Sequence, residues 1–244
     1  MEKVRRLIKR HAPNSFLRLV RTYNNRQYNN LSNEQVFTKI YESGVWGASE
    51  DASKPFYSGS GSRRDDEVAA YVHSVQQFLR SFQSKPDVVD LGCGDFAVGC
   101  RIRSLCNNYV ACDVVPNLIK FNKAHYRDLH VDFRMLDLAK DQLPRGEVGF
   151  VRQVLQHLSN EAIHQFVARA SLAYAHLVVT EHLPATAEFE HNVDKLTGPG
   201  TRMGHDSGVV LTSPPFNLRA KATRELCRVN SVDTGVLVTT LYSF

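Results

Sequence analysis

Nowhere do the 244 residues approach the roughly 20 consecutive apolar side chains that cross a bilayer. The opening MEKVRRLIKRHAP is basic but lacks the apolar run of a secretory signal, so a soluble, cytoplasmic chain is expected. Cysteine is sparse: Cys93, Cys100, Cys106, Cys112 and Cys227 form no C-x-x-C pair, and their number is odd. That pattern excludes a disulfide framework and a zinc ribbon, and favours buried thiols in a reducing compartment. No fixed ligand spacing appears elsewhere, so no metal is expected. Internal repeats and long low-complexity stretches are also missing.

An even spread of charge is lacking too. The net charge is +5, yet residues 1–30 hold eight Lys/Arg against one Glu, which is +7, while the remaining 22 against 24 give about −2. A nucleic-acid enzyme carries its basic stripe across the body that holds its site. Here the positive charge belongs to an arm, so RNA has only that arm in its favour. Val4, Leu7 and Ile8, then Phe16, Leu17, Leu19 and Val20 beyond Pro13, predict two short amphipathic helices. Such an arm suits an anionic membrane surface, peripheral at the inner membrane, or docking on protein.

With 43% apolar residues, the length supports one substantial core. The expected organisation is a basic arm over 1–30, a helical lid or cap region over 31–84, and an α/β domain over 85–244 with an insertion at 184–215. Helical spacing covers Glu34 to Tyr41 and Asp65 to Phe82, the latter opened by a capping-box-like Ser62-x-x-Asp65. From Asp87 the period changes. Strands are predicted at Asp87–Leu91, Tyr109–Cys112, Val131–Leu136, Gly149–Val154, His176–Thr180, around Glu225–Val229, and Gly235–Tyr242. A helix is predicted through about Leu105 and another over Asn160–Ala173. Alternation of this kind predicts a mostly parallel seven-stranded sheet, because parallel strands need crossover connections. The span from Val229 to Gly235 is too short for a crossover, so the sheet ends in an antiparallel hairpin.

The chemistry concentrates at Val88-Val89-Asp90-Leu91-Gly92-Cys93-Gly94-Asp95-Phe96-Ala97. Glycines at a strand-to-helix turn let a ligand approach the backbone. The stretch also satisfies the dinucleotide pattern G-x-G-x-x-A, with Asp113 downstream. Asp90 arbitrates: a carboxylate before the loop repels a pyrophosphate but suits the ammonium and sulfonium of S-adenosylmethionine.

The sequence D-L-G-C-G resembles motif I of the class I S-adenosylmethionine-dependent methyltransferases. That resemblance implies a Rossmann-like fold with an N-terminal helical extension, and S-adenosyl-L-methionine as cofactor. It gives Asp113 the ribose hydroxyls and Asp137 the adenine amino group. Further segments resemble a bacterial group that methylates cell-surface glycans or secondary products: Phe37 through Gly47, Tyr57-Ser58-Gly59-Ser60-Gly61-Ser62, Arg152 through Asn160, Asn192-Val193-Asp194-Lys195, and Ser207 through Phe216. The implied acceptor is a small molecule or glycan, and the 184–215 insertion is where such enzymes build its pocket.

In an open α/β sheet, ligands bind beyond the C-terminal strand ends. That places Gln153 and His157 after the fourth strand, and Glu181 and His182 after the fifth, at one crevice. His157 and His182 are therefore the candidate bases for methyl transfer to a hydroxyl. Tyr57, Gly59 and Ser60 belong to a lid over the methionine end of the cofactor, with Trp46 beside it. Asp90, Gly92, Gly94, Asp113, Asp137 and Gln153 complete the expected cofactor site. A nonenzymatic, membrane-associated binding module is the alternative from another class.

Overall fold

The computed structural model describes residues 26–244 apart from Glu50, Ala52, Ala187, Val232 and Asp233. The two helices expected in the arm fall on residues 1–25, outside the described residues. Helix α1 (Asn33–Glu42) starts from a reciprocal cap: Ser32 Oγ accepts from the Gln35 amide while Gln35 Oε1 accepts from the Ser32 amide. It buries Val36, Phe37 and Ile40. Helix α2 (Asp65–Arg80) buries Val68, Tyr71, Val72, Val75, Phe78 and Leu79. Its expected cap is a correction: Ser62 lies in a short 3-10 turn, and no side chain caps α2. Asp65, Asp66 and Glu67 in the first turn complement the helix dipole instead.

The strands are β1 (Val88–Leu91), β2 (Tyr109–Asp113), β3 (Asp132–Met135), β4 (Val148–Arg152), β5 (His176–Leu183), β6 (Glu190–His191), β7 (Ser207–Gly208), β8 (Ala222–Asn230) and β9 (Val236–Ser243). Seven of them form one sheet in the order β3-β2-β1-β4-β5-β9-β8. The first five run parallel, while β9 is antiparallel to both β5 and β8. The chain moves outward from β1 through β2 to β3, then returns to β4 on the other side of β1. A topological switch point therefore lies between β1 and β4, where such sheets bind ligands.

Helices α3 (Pro116–His125) and α4 (Asn160–Ala173) complete the layers. One core cluster joins α1 and α4 to one sheet face through Phe37, Ile40, Ile163 and Phe166. The other joins α2 to the opposite face through Tyr71, Val75, Phe150 and Val178. Among the described residues no helix is long and apolar enough to cross a membrane.

The helix expected after the glycine loop is a second correction. Residues 99–105 form two 3-10 turns, Gly99–Arg101 and Arg103–Leu105. Phe96 explains this. It sits at φ 58°, outside helical geometry, and its ring is fully buried against Tyr109, Tyr126 and Phe133. A Cβ on Gly99 would lie 2.4 Å from that ring, so the chain gives up a regular helix to seat the aromatic side chain.

Within 184–215, β6 pairs in parallel with β7. This insertion is fastened by Arg202, which is 1% exposed. Its Nε donates to the Val193 carbonyl, its Nη1 to that of Leu155, and its Nη2 to the Leu158 carbonyl and Asn160 Oδ1. The insertion is thus tied to the connection between β4 and α4.

Candidate active site

A cavity of about 560 Å³ lies over the C-terminal ends of β1, β2, β4 and β5. Its floor is the turn after β1, where Gly92 and Gly94 have φ of 76° and 55°, values that L side chains rarely adopt. A Cβ on Gly92 would meet Val154 Cγ2 at 2.4 Å, and one on Gly94 would meet Ser58 Oγ at 2.5 Å. The glycines let the turn press against both the end of β4 and the lid.

Asp113 ends β2 and shapes the same turn: its Oδ2 accepts the Gly94 amide at 3.0 Å and its Oδ1 the Val115 amide at 3.1 Å. Burial pushes its carboxyl up to about 6, against the pull of these amides. Asn122, fully buried on α3, donates to the Gly94 carbonyl at 2.8 Å, so Gly94 is held from both sides. Asp90 is buried at the end of β1 and accepts from the Tyr109 hydroxyl at 3.0 Å. Burial raises it to about 7, with the Tyr109 bond opposing. Asp137 also lines the cavity, with both oxygens on Asn33 Nδ2 at 3.0 and 3.1 Å.

The Tyr57–Ser62 segment is held against the glycine turn by specific bonds. Ser58 Oγ accepts the Asp95 amide and shares a hydrogen with the Tyr41 hydroxyl, both at 2.8 Å. Arg63 reaches the buried Asp95 carboxylate at 2.5 Å. Gly59, Ser60, Gly61 and Ser62 line the cavity. Gly61 lies against Gln153, whose Oε1 would be 2.5 Å from an added Cβ. Tyr57 is not among the lining residues; its ring packs on Gly47 and under the Arg63 guanidinium, 5.9 Å from its centroid.

His157 and His182 both line this cavity, as the strand ends required. Trp46 stands beside them: its ring centroid is 5.0 Å from that of His157, and its indole N–H donates to the Pro199 carbonyl at 3.1 Å. Pro199 and Thr201 bring the insertion into the wall, and Ser231 brings the β8–β9 hairpin. Glu181 is not in it. That side chain is 4% exposed and lies near the Leu155 and Gln156 amides and the Arg202 guanidinium.

No family model and no curated protein matches the sequence. Solved structures do. The N-methyltransferase NodS of Bradyrhizobium japonicum WM9, crystallised with S-adenosyl-L-homocysteine, superposes with a TM-score of 0.60 at 16% identity, over 85% of this chain and 98% of that one. Magnesium protoporphyrin IX methyltransferase (ChlM) of Synechocystis PCC 6803, with bound S-adenosylmethionine, gives 0.56 at 11% identity, over 88% and 99%. The bifunctional kinase-methyltransferase WbdD gives 0.52 at 15% identity, over 75% of this chain and 40% of that one. The chain has the class I methyltransferase fold.

Within this methyltransferase fold the residues fit S-adenosylmethionine. Five carboxylates line the cavity: Glu67 on α2, and Asp90, Asp95, Asp113 and Asp137 at and around the ends of β1, β2 and β3, where a pyrophosphate would be repelled. Each Asp113 oxygen keeps a lone pair beyond its one amide bond, enough for hydroxyl donors. Sequence reasoning missed Arg152, which lines the cavity, donates from Nη2 to the Gly61 carbonyl at 2.8 Å, and has a buried Nε bonded to no described residue. Strand alternation held the signal, since Arg152 shares a face with Phe150, toward Tyr71 of α2. Tyr41, Ser58 and Asn122 gave no such signal, because each acts through contacts distant in sequence.

Proposed function

We propose that the protein is an S-adenosylmethionine-dependent O-methyltransferase acting on a sugar, a glycan end or another small polar metabolite. One observation carries the reading: one part of the cavity wall holds no charged side chain among the described residues, although Arg64, Glu67 and Arg152 line it elsewhere, beside the Ser60–Ser62 turn. Asp90, Asp95, Asp113 and Asp137 lie toward β1–β3. The part bounded by Trp46, Gln156, His157, His182, Pro199, Thr201 and Ser231 has, among the described residues, two histidines and no carboxylate. Lys195 is turned away from it, its Nζ spent on the carbonyls of His157 and Leu196. An amine acceptor would meet no anion there and a phosphate no cation, whereas a hydroxyl on an uncharged ring meets imidazole nitrogens and an indole face.

In this reading Asp113 receives the ribose hydroxyls and Asp137 the adenine amino group. Asp90 faces the cationic end, where a bound cation favours its ionised form. Gly59, Ser60 and Gln153 enclose the methionine end. The cofactor, when bound, supplies an electrophilic methyl. The lid excludes water from it, and the histidine wall holds the acceptor hydroxyl in line and takes its proton.

The test is calorimetry of the purified chain with S-adenosylhomocysteine and with NAD, followed by a screen for S-adenosylmethionine consumption against nucleotide sugars, glycan extracts, aromatic alcohols, amines and RNA. Binding of the first ligand alone, and turnover with a hydroxylated ring, are expected. Tighter NAD binding overturns the cofactor, and turnover confined to amines or RNA overturns the acceptor.

A further inference from the structure

The two histidines of the cavity wall are held in opposite ways, and only one keeps a nitrogen open. The imidazole of His157 is enclosed: Nε2 lies 3.3 Å from Gln156 Nε2, Nδ1 is buried, and the Gly198 and Gly200 backbone lies against the ring. Burial, reinforced by the nearby Lys195 ammonium, holds this ring down to about 3, so it stays neutral over the physiological range. Trp46 leans on it, and the Lys195 ammonium and Gly198 amide both bond its backbone carbonyl. Those contacts fix a wall rather than free a base.

His182 differs. It sits near the end of β5, half-buried and paired in register with Leu237. Its Nε2 meets the Thr234 carbonyl. A carbonyl only accepts, so Nε2 carries the hydrogen and Nδ1 carries the lone pair. No described residue bonds Nδ1, and it is not among the buried unpaired atoms. The hairpin is shaped around this ring: Gly235, at φ 78°, would place a Cβ 3.2 Å from His182 Nε2 and 2.3 Å from the Leu183 carbonyl. Only glycine lets the hairpin carbonyl reach the imidazole.

We propose that His182, through Nδ1, is the general base of the transfer, oriented by the Thr234 carbonyl, and that His157 is a positioning residue forming the acceptor wall with Trp46. The inference rests on the methyl-transfer reading. The acceptor oxygen forms its bond to the methyl carbon as the carbon–sulfur bond breaks and its electron pair stays on sulfur. The hydroxyl proton passes to Nδ1, and the imidazolium, still bonded through Nε2–H to the carbonyl, releases it to solvent. An orienting acceptor behind the base fixes both tautomer and direction, the role a carboxylate has in hydrolase triads.

Three measurements on the full chain test this. Long-range proton–nitrogen NMR should show His182 as the Nε2–H tautomer. Diethyl pyrocarbonate, which acylates unprotonated open imidazole nitrogens, should modify His182 and spare His157, as read by peptide mass mapping. With the hydroxylated acceptor returned by the screen, His182→Ala should lose about 10²–10⁴ in kcat while S-adenosylhomocysteine affinity stays within threefold, and added imidazole should restore part of the turnover. His157→Phe, which keeps a ring in the wall, should hold kcat within about tenfold and raise the acceptor KM, with no response to imidazole.

An Nδ1–H tautomer for His182, preferential acylation of His157, or imidazole rescue of the His157 variant alone overturns the assignment. Should His182→Ala fail to fold, the tautomer and acylation of the unmodified protein still decide. Loss of S-adenosylhomocysteine binding by the unmodified protein would instead sink the function reading.

Discussion

The cofactor side of the cavity and the acceptor side are built by different means. Toward β1–β3, Asp90, Gly92 and Gly94 come from one short stretch, and Asp113 locks onto Gly94 through a backbone amide. Toward β4 and β5, Trp46, His157, His182, Pro199 and Ser231 come from five separate segments. Arg202 gathers two of these by bonding carbonyls on both sides of His157. A site made locally needs few supports, and a site made by convergence depends on distant ones. The buried Arg202 and the hairpin carbonyl at Thr234 are such supports.

The largest effect that would sharpen this contrast comes from Arg202→Met. It leaves the Val193, Leu155 and Leu158 carbonyls and Asn160 without their donor, a loss expected to cost about 3–5 kcal/mol in urea unfolding. The folded fraction should bind S-adenosylhomocysteine within threefold of the parent but lose acceptor turnover. A parallel collapse of cofactor affinity would show that the two sides are one unit.

Asp113→Ala is the converse test. Removing a buried acceptor from the turn should weaken S-adenosylhomocysteine by about 1–3 kcal/mol, roughly 5- to 150-fold in Kd, with little change in acceptor KM. An unchanged Kd in a folded variant would take Asp113 out of the site.

Glu181→Gln gives an effect that is absent at low pH and grows as pH rises. Burial holds this carboxyl up to about 8 in the folded chain, far above the roughly 4.3 of an exposed glutamate. The neutral form therefore contributes stability that is complete below the unfolded value and is lost as pH rises through the folded one. Glutamine mimics the neutral acid. The variant should match the parent in Tm near pH 4 and exceed it progressively as pH rises, by roughly 10 °C near pH 9. A gap that does not change with pH would mean that Glu181 is ionised in the folded state.

The same division explains what the sequence disclosed. The alternating strands, the terminal hairpin and α4 were legible because hydrophobic period and turn length act locally. The carboxylate–glycine turn was legible because β1 is one apolar run ending in Asp90. The histidines could be placed at strand ends, but not ranked: what separates them is Thr234 behind one and Gln156 with Trp46 around the other. The 3-10 turns after Phe96 were hidden for a similar reason, since the aromatic pocket that captures its ring comes from Tyr109, Tyr126 and Phe133. Ser58 and Asn122 carry no periodic signature at all.

The placement of β9 inside the sheet has a colloidal consequence. A strand with free backbone groups on one side is a template for pairing with another molecule. Because β9 covers β5, the strand that bears His182 never presents that template. Among the described residues the open margins fall to β3 and β8. The first is four residues long and holds exposed Asp132 and Arg134 in an ion pair. The second exposes Arg224, Glu225 and Arg228 and is interrupted by a register shift between Glu225 and Cys227. Brevity, charge and a bulge blunt both margins, so the sheet resists edge-to-edge association there, and β5 with His182 stays two strands in from β8.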